Sequence, residues 1–208
     1  ISAGVEDALL NTSVFQIERD AAGVTLHTPQ GAERFDHVVL ATHSDQALEL
    51  LRYPTHTERE VLGAIRYQPN RAVLHTDTSV LPTRPAAWAA WNYERAASAD
   101  QESTRVCLHY LLNKLQPLPF GQAVVESLNP VRDIDPSKVL AEFEYSHPVF
   151  DMAAIAAQQR VPELQGEQHT WYCGAWTGYG FHEDGLKSGI AAAQALLAHT
   201  QLQRKAAA

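Results

Sequence analysis

Residues 171–193, WYCGAWTGYGFHEDGLKSGIAAA, constrain the fold more tightly than any other stretch of this chain. The order is an apolar-aromatic strand at 169–173, a glycine-rich loop from Gly174 to Gly180, then a helix predicted over 186–199. Backbone amides at Gly174 and around 182–186 have no helical partner and can face an electron-rich ligand. Gly185, Gly189 and the alanines at 191–193 let that helix approach a sheet or a flat ring closely. Trp176, Tyr179 and Phe181 add flat apolar faces. The combination suits a planar ligand that carries negative charge at one edge.

The rest of the chain supplies a matching grammar. Residues 5–10 read as the end of a short helix, and Ser13–Ile17 as a strand. Val24–Thr28 alternates as a half-buried strand does, between turns at 20–23 and 29–31. The run Val38–Ala41 reads as a strand covered on both faces. Ser44 or Asp45 can cap a helix through Leu51. Further on, 55–65 reads as a helix and Arg71–Thr76 as a strand. Residues 86–93 and 104–112 pair as a hairpin across a polar loop, and strands are predicted near 122–128 and 139–145. Asp151 can cap a helix over 151–161, with Met152, Ile155 and Ala156 on one face. There is no internal repeat.

Composition removes several function classes. The 208 residues carry a net charge of −8, which argues against a nucleic-acid backbone as partner. No apolar run reaches the roughly 18 residues of a membrane span. No leader-like segment is visible, so the expected location is the cytoplasm. The start at Ile1 reads as that of a fragment, which leaves an upstream targeting signal open. Cys107 and Cys173 sit in no metal or CxxC spacing and read as reduced core thiols. With no HxxxH or HExxH either, a metal is not expected. GxSxG is absent, which disfavours a serine hydrolase.

The last forty residues resemble the C-terminal end of the flavin-containing amine oxidase superfamily, which includes phytoene-desaturase-like proteins. The resemblance rests on Trp171-Tyr172-Cys173-Gly174, then Glu183-Asp184-Gly185-Leu186-Lys187-Ser188-Gly189, and on DHVVLATHSDQALELL at 36–51. LPTRPAAWAAWNY and GFHEDG look closest to bacterial proteins of the NAD/FAD-binding, amine-oxidase-like kind. The resemblance implies an α/β fold: a partial Rossmann-like FAD-binding domain from 1–52 and 167–205, and a mixed or antiparallel-sheet substrate domain over 53–166. It implies FAD as cofactor and hydride transfer from a C–N or C–C bond to flavin N5. The GxGxxG turn that holds the pyrophosphate is absent, so the resemblance implies a missing N-terminal half as partner. An isolated chain of this kind is expected to aggregate or to be marginally stable.

The same resemblance marks the candidate residues. Cofactor contacts fall on Val14, Gly174, Ala175, Trp176, Gly180, Phe181, His182, Glu183, Asp184, Gly185 and Leu186, and catalytic roles on His182 and Glu183. Trp91, Tyr93 and Tyr179 are candidates for lining a small-molecule, hydrophobic substrate site. Alternatives stand beside several of these. Asp184 caps its own helix or meets the flavin; Val14 meets the adenine or packs in the core. His182 faces the flavin edge or is a loop histidine. Trp91 and Tyr93 line a cavity or belong to an aromatic sheet core. Ala175 stands where the family has an acid that contacts the ribityl chain, and no Lys takes the place of the family's flavin-proximal one. These departures favour the alternative reading, a non-catalytic flavin-fold binding or scaffold protein.

Overall fold

The computed structural model describes residues 7–95 and 106–206. The chain divides into two compact units, one from residues 1–67 and 148–208, the other from residues 68–147.

In the first unit, β1 (Gln16–Asp20), β2 (Gly23–Thr28) and β3 (Gly31–Phe35) form an antiparallel meander. Residues 7–10 of the predicted first helix are not helical. Leu9 and Leu10 lie 72% and 84% exposed, so no packed face supports a helix there. Strand β3 escapes sequence reading because all five of its residues are exposed, which leaves no alternating pattern. A second sheet pairs β4 (Val38–Leu40) in parallel with β10 (Thr170–Tyr172). Both outer edges of this pair are open among the described residues. The expected cover on both faces of β4 is not found: Leu40 is buried, but Val39 is 42% exposed.

Helices close over these sheets. Helix α1 (Ser44–Leu50) begins at Ser44 with His43 as its N-cap, correcting the expected Ser44 or Asp45 cap. Ser44 is fully buried, and its amide donates to the Tyr67 hydroxyl at 2.9 Å. Helix α2 (His56–Gly63) starts with a reciprocal capping box. The Glu58 amide donates to Thr55 Oγ1 at 3.1 Å, and the Thr55 amide donates to Glu58 Oε2 at 2.7 Å. Replacing Thr55 by alanine removes half of this box and is expected to cost about 1 kcal/mol. Urea denaturation checks this as a lower midpoint at an unchanged slope.

Helix α4 (Met152–Arg160) is capped by Asp151, whose carboxylate accepts from the Ala154 amide at 2.9 Å. Its buried side is Ala154 and Ala157 rather than Met152 and Ile155, which are 80% and 37% exposed. Alanines let α4 lie close to α2, whose Val61 and Leu62 share its core with Ile17, Val24, Leu40, Leu164, Tyr172 and Trp176. Helices α2 and α4, which the sequence reading assigns to 53–166, therefore pack with the chain's two ends. Helix α5 (His182–Ala206) begins four residues before its predicted start and closes this unit.

The second unit is built on a five-stranded sheet in the order β6-β7-β8-β5-β9. Its strands are β5 (Arg66–His75), β6 (Trp91–Glu94), β7 (Cys107–Leu111), β8 (Val125–Leu128) and β9 (Val139–Val149). A single turn, α3 (Leu112–Leu115), follows β7. The expected pairing of the two middle strands is present, with Trp91 opposite Tyr110 and Glu94 opposite Cys107. Residues 86–90 stay outside the strand, because Pro85 opens a 3-10 turn there. Residues 96–103 of the predicted polar loop and 104–105 of the strand predicted after it lie outside the described residues.

Candidate functional site

The glycine-rich segment leaves β10 at Cys173 and turns sharply at Gly174. A side-chain Cβ at Gly174 would sit 2.6 Å from Nε1 of Trp176. The space that a side chain would need is thus filled by the indole. The Gly174 amide donates to Ser188 Oγ at 2.9 Å, so it is not the free donor expected from the sequence. Trp176 is also reassigned: it is 3% exposed, lies in the core, and its Nε1 donates to the Thr42 carbonyl at 3.1 Å. Its ring therefore presents no open face to a ligand. Gln158 holds the same turn from α4, donating to the carbonyls of Trp176 at 2.9 Å and Gly178 at 2.6 Å.

The end of the loop is organised by Asp184. Its Oδ2 accepts from the amides of Tyr179 and Phe181, both at 3.0 Å. A Cβ on Gly178 would lie 2.6 Å from that carboxyl group, so Gly178 makes room for it. Asp184 is the third residue of α5, so it is not the simple N-cap of its first sequence reading; its carboxylate reaches back to the amides just before the helix, as the third residue of a capping box does. The Asp184 and Gly185 amides are bonded to the Phe181 carbonyl at 3.0 and 3.2 Å. The amides of His182 and Glu183 have no acceptor among the described residues.

The outer surface of this turn is apolar. Tyr179, Phe181 and Leu186 are 76%, 56% and 59% exposed. His182 is exposed as well, and Glu183 forms a 3.4 Å ion pair with Lys187 one turn on. Gly180 takes a left-handed φ of 87° that favours glycine, and Ala175 is half-buried. The close approach predicted at the helix glycines is not found. A Cβ on Gly185 meets Ala175 at ordinary contact distance, and one on Gly189 meets open space.

Val14 is half-buried against the core and lines a cavity of about 590 Å³. Leu9, Thr12, Leu26, Gln30 and Phe35 share that lining. Both sequence readings of Val14 are thus compatible with its position. In the second unit, Trp91 and Tyr93 lie on one sheet face, 52% and 57% exposed. They do not form a buried aromatic core. Trp91 stacks edge-on against Tyr110 with ring centroids 5.3 Å apart. Between them, Asn92 points inward, buried, and its side chain bonds the Ala89 and His109 backbones.

Sequence reasoning missed a buried ionic network in the first unit. Arg19 of β1 pairs with both oxygens of Glu58, at 2.5 and 2.9 Å, and Tyr172 of β10 donates to Glu58 Oε1 at 2.6 Å. The Arg19 and Glu58 side chains are 3% and 0% exposed. Burial favours the neutral acid, but the bonds from Arg19, Tyr172 and the Thr55 amide outweigh it and lower the Glu58 pKa. Burial raises the Tyr172 pKa, and the neighbouring Glu58 charge adds to the rise. The capping-box spacing of Thr55 and Glu58 was the one available sequence signal, since their partners come from distant strands.

Comparison with known proteins agrees with this architecture. The structure is similar to a fatty acid isomerase from P. acnes that produces CLA, with TM-score 0.56 and 17% identity, covering 84% of this chain and 45% of that one. A putrescine oxidase variant matches with TM-score 0.61 at 9% identity, covering 94% and 50%. Cyclohexylamine oxidase from Brevibacterium oxydans matches with TM-score 0.56 at 13% identity, covering 91% and 48%. The chain therefore spans about half the length of these proteins. No curated protein sequence matches it significantly. Among the described residues no helix is long and apolar enough to cross a membrane. The profile of the flavin containing amine oxidoreductases matches residues 3–197, and with nearly the whole chain covered, the protein belongs to that family.

Proposed function

We propose that this chain forms the C-terminal half of an FAD-dependent oxidoreductase acting on a hydrophobic organic substrate. The strand–turn–helix of residues 170–186 carries the reading. It combines exposed Tyr179 and Phe181 rings with two unspent amides, at His182 and Glu183, on the start of a 25-residue helix. An aromatic rim beside amide donors fits a flat ring with an electron-rich edge. The apolar cavity beside Val14 fits the adenine end. When bound, the flavin would supply hydride acceptance.

The protein's own residues then have distinct tasks. Asp184 is spent on the loop, so it shapes the rim and does not meet the cofactor. Phe181 and Leu186 exclude water from the ring. His182, exposed at the start of α5, is the candidate to hold or move a proton there. Glu183 is drawn toward Lys187, which leaves it a weaker candidate for a catalytic role. Trp91 and Tyr93 are proposed to face substrate from a substrate domain built on the five-stranded sheet; Tyr179 is proposed, separately, to face substrate from the loop before α5. The FAD-binding part is proposed to comprise both ends of the chain.

A second half is proposed to complete the cofactor domain. Three features support it: the open edges of the β4–β10 pair, the exposed Val39, and the apolar stripe of Leu186, Ile190 and Leu197, each about half exposed or more. A neighbouring cavity of about 450 Å³ is lined by Ala191, Ala192 and Ala195 of α5 with Tyr172 and Val161.

The test is flavin uptake. The purified chain is mixed with FAD, alone and together with a GxGxxG-bearing half. The expected result is a yellow, fluorescence-quenched complex only when both parts are present. A combined preparation that stays colourless and leaves FAD fluorescence unquenched overturns the proposal. Bound flavin that photoreduces and reoxidises without any coupling to substrate would favour the scaffold reading instead.

A further inference from the structure

The inward face of the five-stranded sheet carries a buried polar cluster that the flavin reading does not use. The β6–β7 register places Glu94 opposite Cys107. Cys107 and His109 are two residues apart on β7, so their side chains leave the same face. Cys107 and His109 are 3% and 1% exposed, and the Glu94 side chain is 19% exposed. One ligand atom from each lies within 4.8 Å of the others.

The sulfur–nitrogen distance fits a metal ion as it stands, whereas the oxygen–nitrogen pair is hydrogen-bonded and must open from 2.8 Å to about 3.3 Å to share one. Cys107 Sγ is 3.6 Å from His109 Nε2, and Glu94 Oε2 is 2.8 Å from the same nitrogen. A tetrahedral ion with metal–sulfur and metal–nitrogen bonds of about 2.3 and 2.0 Å holds those two atoms about 3.5 Å apart. The outer support is also in place. His109 Nδ1 is 2.6 Å from Ser127 Oγ, which lies 2.7 Å from His75 Nε2. The Asp77 amide donates to His75 Nδ1 at 3.1 Å, which fixes the ring that faces Ser127. Such bonds hold a ligating imidazole in one orientation. Arg132 Nε donates to Glu94 Oε1 at 2.5 Å and leaves Oε2 turned toward the cluster.

We propose that Glu94, Cys107 and His109 bind a divalent transition-metal ion of the zinc type through Oε2, Sγ and Nε2. A water molecule completes the tetrahedron. The mixed oxygen, sulfur and nitrogen set suits zinc better than a hard cation such as magnesium. On binding, the Cys107 thiol proton is released, and the ion replaces the proton shared by His109 Nε2 and Glu94. The thiolate and carboxylate then balance the double positive charge. Sequence spacing gave no sign of this site because Glu94 arrives from the neighbouring strand.

Cobalt is the probe. The full chain, without an affinity tag, is stripped with a chelator, freed of it, and titrated with Co²⁺. The expected result is a one-to-one cysteinate-to-cobalt charge-transfer band in the near ultraviolet, bleached by stoichiometric Zn²⁺. Cys107→Ser abolishes the band, whereas Cys173→Ser, in the other unit, keeps it. Ser127→Ala retains all three ligands and is expected to weaken cobalt binding about 10–100-fold. A measurement on the unaltered protein covers the case in which a variant fails to fold: stoichiometric Zn²⁺ is expected to raise its thermal midpoint. A folded, unaltered chain that shows neither the band nor the rise overturns the proposal, as does a band that survives Cys107→Ser. Both readouts are independent of flavin, so failure here is distinct from failure of the oxidoreductase reading.

Discussion

Replacing Glu58 by alanine is expected to destabilise the first unit by about 3–5 kcal/mol, a large share of the roughly 5–15 kcal/mol that holds a typical domain together. The cause is the charge left behind. The Arg19 side chain is 3% exposed and donates two of its hydrogen bonds to Glu58. Without them, a guanidinium stays buried with the Tyr53 carbonyl at 3.0 Å, a long contact to Thr170 and the neighbouring Tyr172 hydroxyl. The Tyr172 hydroxyl and the Thr55 amide lose their acceptor in the same step. Denaturant unfolding followed by tryptophan fluorescence measures the loss. The double variant Arg19→Met/Glu58→Met is expected to recover most of it, because apolar residues of similar size can replace a buried pair at little net cost. A double variant as unstable as Glu58→Ala would show that the cost lies elsewhere.

Acid titration tests the same network. The Glu58 pKa is lowered on folding from its ordinary 4.5. Its contribution is therefore fully present above pH 4.5 and is lost as pH falls through the lower, folded value. The unaltered protein should thus lose stability steeply below about pH 4.5, and Glu58→Gln should show a shallower slope in that window. Equal slopes would count against the assignment.

The second large effect concerns the turn at Gly174. Trp176→Ala removes a buried ring and is expected to cost about 3–5 kcal/mol. Gly174→Ala pushes a Cβ to 2.6 Å from the indole nitrogen and is expected to cost about 1–3 kcal/mol. The two are coupled. With the indole gone, the added methyl has room, so the double variant should be less unstable than the sum of the single changes. Additive losses would mean that backbone strain, not the indole, explains the glycine. In the proposed function the turn also carries the flavin rim, so both single variants should weaken FAD uptake by the combined halves.

Particular residues show where the sequence was legible. The strand–loop–helix at 170–206 was visible because aromatic, glycine and alanine blocks follow one another without interruption. Asp151 and Thr55 were readable as helix starts because a cap acts within three residues of its target. The start of α5 was placed late because Glu183 and Asp184 look like loop residues until the carboxylate is seen bonding the loop's own amides. Strand β3 and the exposed side of α4 were misread because periodicity reports burial only where the other side of an element is covered.

Local sequence thus determined the family, the mixed α/β class and the order of strand, turn and helix around Gly174, because these follow from backbone preferences over a few residues. Tertiary structure alone decided the chemistry of the side chains. It consumed the Gly174 amide and the Trp176 ring in packing, gave Asp184 to its loop, and buried Arg19 against Glu58. It also gathered Glu94, Cys107 and His109 on one face. Hydrogen bonding and charge pairing act across space at about 3 Å, and distances on that scale between distant residues are fixed only when the sheets close.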